Sequence, residues 1–241
     1  MAPLDSEVKQ AFFKHIAELR KTLIFCIVTI LAFFILIFCV FQDTLMDFFL
    51  SGVRSIGLEV VYTTVGEVWT TKMKVAFMAA LVVSFPFTAF FLWRFLAPAL
   101  YPGEKKIFSL CFFAAVFLFA LGVAFAYFVV LPFTLRFFVA FGEGTATAML
   151  TVSKYVSFLI GFIVPFGLIF LMPLCVYLLT KLGILTPDVL VRTRRYVLIL
   201  LLIVAAILTP PDVVSQLMLF FPMMGLWEVG ILISKRTSRR R

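Results

Sequence analysis

Six apolar runs divide this chain of 241 residues, and 16 of its 21 lysines and arginines fall on alternate connections between them. A helix needs roughly 20 apolar residues to cross about 30 Å of hydrocarbon, and the runs begin near Thr22, Val75, Phe108, Tyr155, Tyr196 and Val213. The pattern predicts six transmembrane helices over 22–41, 75–96, 108–131, 155–179, 196–208 and 213–233, in a single integral membrane domain covering 1–241. One set of connections holds Lys9, Lys14, Arg20 and Lys21, then Arg94, Lys105 and Lys106, then Lys181, Arg192, Arg194 and Arg195, and finally a basic tail over 234–241. The other set holds only Arg54, Lys72, Lys74, Arg136 and Lys154. Lys and Arg accumulate on the cytoplasmic side, so the expected fold class is an all-α polytopic membrane protein with both termini cytoplasmic.

Composition agrees. With 64% hydrophobic and 14% charged residues the chain cannot be an ordinary soluble domain. Its formal charge of +9 does not call for a nucleic-acid partner, because the twelve acids are shared evenly between the two sides and the basic excess belongs to one of them. Attraction to anionic membrane lipid accounts for that excess. The first run is too long for a cleaved leader and lacks a small-x-small site after it. Cys26, Cys39, Cys111 and Cys175 all lie in apolar runs without a CxxC pattern or a histidine partner, so they read as packing residues, with no metal site expected.

Residues 1–21 form an amphipathic cytoplasmic lead-in, with Phe12, Ile16, Leu19 and Leu23 on one face, expected to lie on the membrane surface and turn into the first span. The connection over 42–71 reads as a small ordered cap. Pro86, Pro132, Pro165, Pro173 and Pro222 in or beside the spans predict kinked helices curved into a concave wall. The two final helices are expected to be short: at 1.5 Å per residue the run 196–208 reaches only about 20 Å, which would thin the bilayer locally. Between them Thr209-Pro-Pro-Asp212 makes a tight turn, with Asp212 placed to cap the last helix.

Catalytic chemistry has little to stand on. There is one histidine, no nucleophile and base in a recognisable arrangement, and no phosphate-binding loop, so neither an enzyme nor a cofactor is expected. The ionisable residues at the edges of the spans are the candidates. Glu18 and Glu104 each sit beside the mouth of a span among cations. Two readings stay open: the carboxylates receive two guanidinium groups, whose planar fork suits a carboxylate better than an ammonium does, or they form weak surface pairs with Lys14, Lys105 or Arg94. Glu228 is expected to turn toward Lys235 or Arg194. Thr209 and Gln216 could bond to a partner helix or satisfy local backbone. A secondary transporter of a small solute is the competing class, but it requires polar groups converging at mid-bilayer, and the chain offers few.

At the level of motifs the chain resembles the TatC family, the core receptor subunit of the twin-arginine protein translocase. The segments that carry the resemblance are His15-Ile-Ala-Glu-Leu-Arg-Lys21, Ser84-Phe-Pro86, Trp93-Arg-Phe-Leu-Ala-Pro-Ala-Leu-Tyr-Pro-Gly-Glu104, Phe125-Ala-Tyr-Phe128, Leu208-Thr-Pro-Pro-Asp-Val-Val-Ser-Gln216, and Pro222 with Trp227-Glu228. The resemblance implies recognition of twin-arginine signal peptides of folded proteins at Glu18 and Glu104, with Arg20, Phe95, Pro98 and Leu100 around them. It implies docking of TatA- and TatB-type single-span subunits near Thr209 and Gln216, with Asp212 and Glu228 as ionisable positions of the last hairpin. Export driven by the proton gradient, residence in the cytoplasmic (inner) membrane, no cofactor, and a homo-oligomer within a larger complex complete the expectation. Three positions depart from the family pattern: Leu171 stands where an acid is common, Phe91 where a glutamine is common, and Arg94 where a small or neutral residue is expected. Arg94 is expected to hold Glu104 until a signal peptide displaces it.

Overall fold

The computed structural model describes residues 3–54, 60–96, 105–142, 150–208 and 213–238. The first helix, α1, runs uninterrupted over Pro3–Val40. The lead-in and first span are therefore one helix, and the expected turn from the surface into the membrane is absent. The reason is local, because no glycine or proline lies between Leu4 and Val40 to break the ladder. A short amphipathic helix, α2 (Gln42–Arg54), follows and buries Met46, Phe49 and Val53 at helical spacing. Strand β1 (Val60–Val61) leads to α3 (Val65–Leu96).

Helix α4 (Lys105–Phe125) passes through a π turn over Ala126–Val130 into α5 (Leu131–Gly142). Pro132 explains the wide turn: it has no N–H to donate, and its ring crowds the preceding turn of helix. The neighbouring Leu131 N–H bonds back to the Ala126 carbonyl. Strand β2 (Leu150–Thr151) pairs in parallel with β1, Val60 opposite Leu150 and Val61 opposite Thr151. Helix α6 (Val152–Ile169) is separated from α7 (Met172–Lys181) by a turn at Phe170 and Leu171, where the Leu171 N–H tightens onto Leu168 and Pro173 supplies no donor. Helices α8 (Pro187–Leu208, 22 residues) and α9 (Val213–Ser238, 26 residues) complete the described chain and are not the short pair expected, because each apolar run continues as helix into its basic flank.

Among the described residues, five helical stretches are long and apolar enough to cross a membrane: Ile16–Val40, Val65–Phe95, Ser109–Phe141, Val152–Lys181 and Ser215–Ser238. The remaining apolar run, 196–208, is the second part of α8, whose earlier part carries Arg192, Arg194 and Arg195.

Lipid is as apolar as leucine, so helices in it associate by close packing more than by expulsion of water. Two sites show how. Ala76, Ala79 and Ala80 of α3 give α1 a flat surface on which Ile37 is buried. Glycines let α4 and α6 interlock: a Cβ on Gly122 would lie 2.6 Å from the Phe166 carbonyl oxygen, and one on Gly167 would lie 2.7 Å from the Phe119 ring. Helix α6 forms the centre, with Tyr155, Val156, Leu159, Phe162, Ile163 and Phe166 all buried.

Candidate functional site

Helices α1 and α3 lie side by side along a ladder of rings. Phe33 meets Phe87 at 5.3 Å, and Phe25 stacks on Phe91 at 5.7 Å with planes 21° apart. This register carries Glu18 of α1 to the same level as Arg94 and Phe95 at the end of α3. Together they line a cleft of about 490 Å³ whose walls are Phe25, Phe91 and Phe95. Lys21 also borders it, its ammonium 5.9 Å from the Phe25 ring centre. Thr22 donates its hydroxyl hydrogen to the Glu18 backbone carbonyl at 2.9 Å, so that hydroxyl does not occupy the carboxylate. Glu18 and Arg94 are exposed.

One carboxylate, three rings and two cations make a definite chemical environment. A guanidinium can donate two parallel hydrogen bonds to a carboxylate and lie flat on a ring, whereas an ammonium can do only the point-charge part of this. The carboxylate and the rings of this cleft can together engage a planar cation, with Lys21 and Arg94 as the cations already beside it.

The structure gathers part of the expected site. Glu18 and Phe95 share the cleft; Arg20 is exposed on the same helix but does not line it. Glu104, Pro98 and Leu100 lie outside the described residues, as do Thr209 and Asp212. Gln216 donates from Nε2 to the Leu202 carbonyl at 3.0 Å, which ties α9 to α8. Glu228 pairs with Arg194 at 2.5 Å, so the carboxylate joins the same two helices and turns to Arg194. Thr180 and Ser234, both buried, share a hydrogen bond of 2.8 Å between α7 and α9.

A second carboxylate at the α2 end was not singled out by the sequence reading. Glu67, in the first turn of α3, is 8% exposed. Its Oε2 accepts from the Thr63 N–H at 2.8 Å and the Thr63 hydroxyl at 2.9 Å, and its Oε1 accepts from the Ser153 N–H at 3.0 Å. Ser153 is in the first turn of α6, so one carboxylate serves the positive ends of two helices and locks the β1–β2 pair between them. The signal was present: Thr64-Val-Gly-Glu67 has the spacing of a capping box. At the same end Tyr155 and Tyr127 donate hydroxyl hydrogens to the carbonyls of Phe49 and Phe48 in α2, at 3.0 and 3.3 Å.

Several apolar helices of membrane-spanning length, packed through two buried apolar clusters among the described residues, define a multi-pass integral membrane protein. Its relatives give the family. A sequence model of the family described as Sec-independent protein translocase protein (TatC) matches residues 14–222. The chain is 36% identical to the Sec-independent protein translocase protein TatC of Carboxydothermus hydrogenoformans, over 92% of each chain. It is 37% identical to that of Helicobacter pylori, covering 93% of this chain and 87% of the relative, and 32% identical to that of Escherichia coli K12, covering 96% and 91%. In structure it is similar to a crystal structure of the twin-arginine translocase receptor TatC, with a TM-score of 0.86 at 31% identity over 93% of this chain and 99% of that one. The chain belongs to the TatC family of Sec-independent protein translocase proteins.

Proposed function

We propose that the chain is the receptor subunit of a twin-arginine translocase, binding the paired arginines of signal peptides on folded cargo. The observation that carries this reading is the cleft in which Glu18 stands beside the Phe25, Phe91 and Phe95 rings. Glu104, matched to the family by sequence, supplies the second carboxylate. An exposed ion pair is worth roughly 0.2–1 kcal/mol, so the carboxylates provide selectivity for guanidinium, and burial of the apolar part of the signal peptide provides most of the affinity.

In this reading the chain crosses the cytoplasmic (inner) membrane six times with both termini cytoplasmic, the apolar part of α8 making the fifth crossing where the bilayer is thin. The kinked helices form a concave wall that receives the signal peptide, flanked by the cytoplasmic lead-in and the basic tail of the single domain. TatA- and TatB-type single-span subunits assemble beside the α8–α9 hairpin near Thr209 and Gln216, and further copies of the chain join the complex. Six helices cannot enclose a folded cargo, since even a domain of about 100 residues has a radius of gyration near 13 Å. The subunit therefore recognises and organises, catalyses no covalent step, and leaves passage to the assembled complex driven by the proton gradient.

The test is binding of a synthetic signal peptide to the purified chain. Replacing the arginine pair by lysines, or introducing Glu18→Ala or Glu104→Ala, is expected to weaken binding up to about fivefold each. Equal binding in all four measurements would overturn the proposal.

A further inference from the structure

Arg136 is the lone charged residue in the stretch Ser109–Phe141. A cation within an apolar span is costly unless an anion or water meets it. It borders a groove of about 610 Å³ between α2 and the π turn, where the walls include Phe48, Phe128 and Phe133 and the polar groups include Ser51 and Tyr127. No carboxylate is among the described residues that line this groove. The Tyr127 hydroxyl hydrogen is engaged by the Phe48 carbonyl, so it is not available to an incoming group. Phe141 ends the stretch about 8 Å further along at 1.5 Å per residue, which brings the exposed guanidinium within reach of the depth where phosphates lie.

We propose that this groove binds one phospholipid of the leaflet on the α2 side, its phosphodiester on the Arg136 guanidinium and an acyl chain along the phenylalanines. Charge complementarity selects the occupant. The groove offers one cation and no described acid, so an anionic headgroup such as phosphatidylglycerol leaves no charge unmatched. The ammonium of phosphatidylethanolamine would find no carboxylate there. The guanidinium fork fits a phosphate with two hydrogen bonds.

The test uses the whole purified protein in detergent, with lipid occupancy read by native mass spectrometry. Wild type is expected to hold phosphatidylglycerol in preference to phosphatidylethanolamine, and Arg136→Gln to lower that occupancy about fivefold, near the 1 kcal/mol that one cation contributes at a membrane surface. Arg54→Gln, which removes an exposed charge from α2 outside the groove, is expected to leave it unchanged. Equal loss in the two variants would reduce the effect to diffuse electrostatics. Displacement by millimolar inorganic phosphate would make it a free-anion site. Unchanged occupancy in Arg136→Gln would also overturn the proposal. Melting in lipid-free detergent checks that each variant is folded.

Discussion

Glu18 and Glu67 each stand near the start of an apolar helical stretch, and their surroundings are opposite. Glu67 is buried, and three donors from its own chain converge on its oxygens. Glu18 is exposed on a cleft walled by rings and bordered by Arg94 and Lys21. A carboxylate with its lone pairs satisfied internally holds a fold together; one left at the rim of a cleft is free to discriminate between ligands. Residue type alone does not separate the two roles, and the donors around each carboxylate do.

Exchanging the roles gives the largest expected effect. Glu67→Gln keeps the size of the side chain but removes the charge from two helix ends and offers an amide where acceptors are needed. The Ser153 and Thr63 amides should lose protection from hydrogen exchange by at least about tenfold, with the melting temperature falling as well. Binding of a signal peptide by the protein that stays folded should be unchanged; a stable variant with lost binding would reverse the contrast. Glu18→Gln should behave in the opposite sense, with stability within about 0.5 kcal/mol of wild type and affinity for the arginine peptide reduced by up to about fivefold.

A smaller effect is expected at Arg94, which lines the same cleft as Glu18 and, in the proposed reading, competes with the peptide arginines for its carboxylate. Arg94→Ala should tighten binding of the arginine peptide about twofold to threefold, measured by titration, and the gain should vanish in the Glu18→Ala background. Unchanged or weaker binding would remove Arg94 from the site. Salt gives the smallest test. Raising ionic strength toward 1 M shortens the screening length to about 3 Å, so peptide affinity should fall about twofold while exchange at Ser153 stays as it was.

Much of the architecture was legible along the chain. Long apolar runs can satisfy their backbone groups in lipid only as helices, and the runs from Thr22, Val75, Phe108, Tyr155 and Val213 all correspond to helices of spanning length. The family motifs around Glu18 and Trp93 pointed to the region of the cleft. Boundaries were less legible: the lead-in merges with the first span because nothing in its sequence breaks a helix, and the third span is extended through a π turn that only a local conflict at Pro132 produces.

What lay hidden required distant segments to meet. Glu67 carries a capping pattern in its own sequence, but its bond to Ser153 depends on β1 and β2 bringing two helix starts together. Phe91 read as a missing glutamine, and in the structure it is a wall of the cleft stacked on Phe25. The sequence by itself determined the membrane solvent, the helical state and the family, because hydropathy, charge bias and motif spacing act along the chain. The partners of each charged group were decided only in the tertiary structure, because an ion or a hydrogen bond is matched by what the fold brings within about 3 Å, wherever it lies in the sequence.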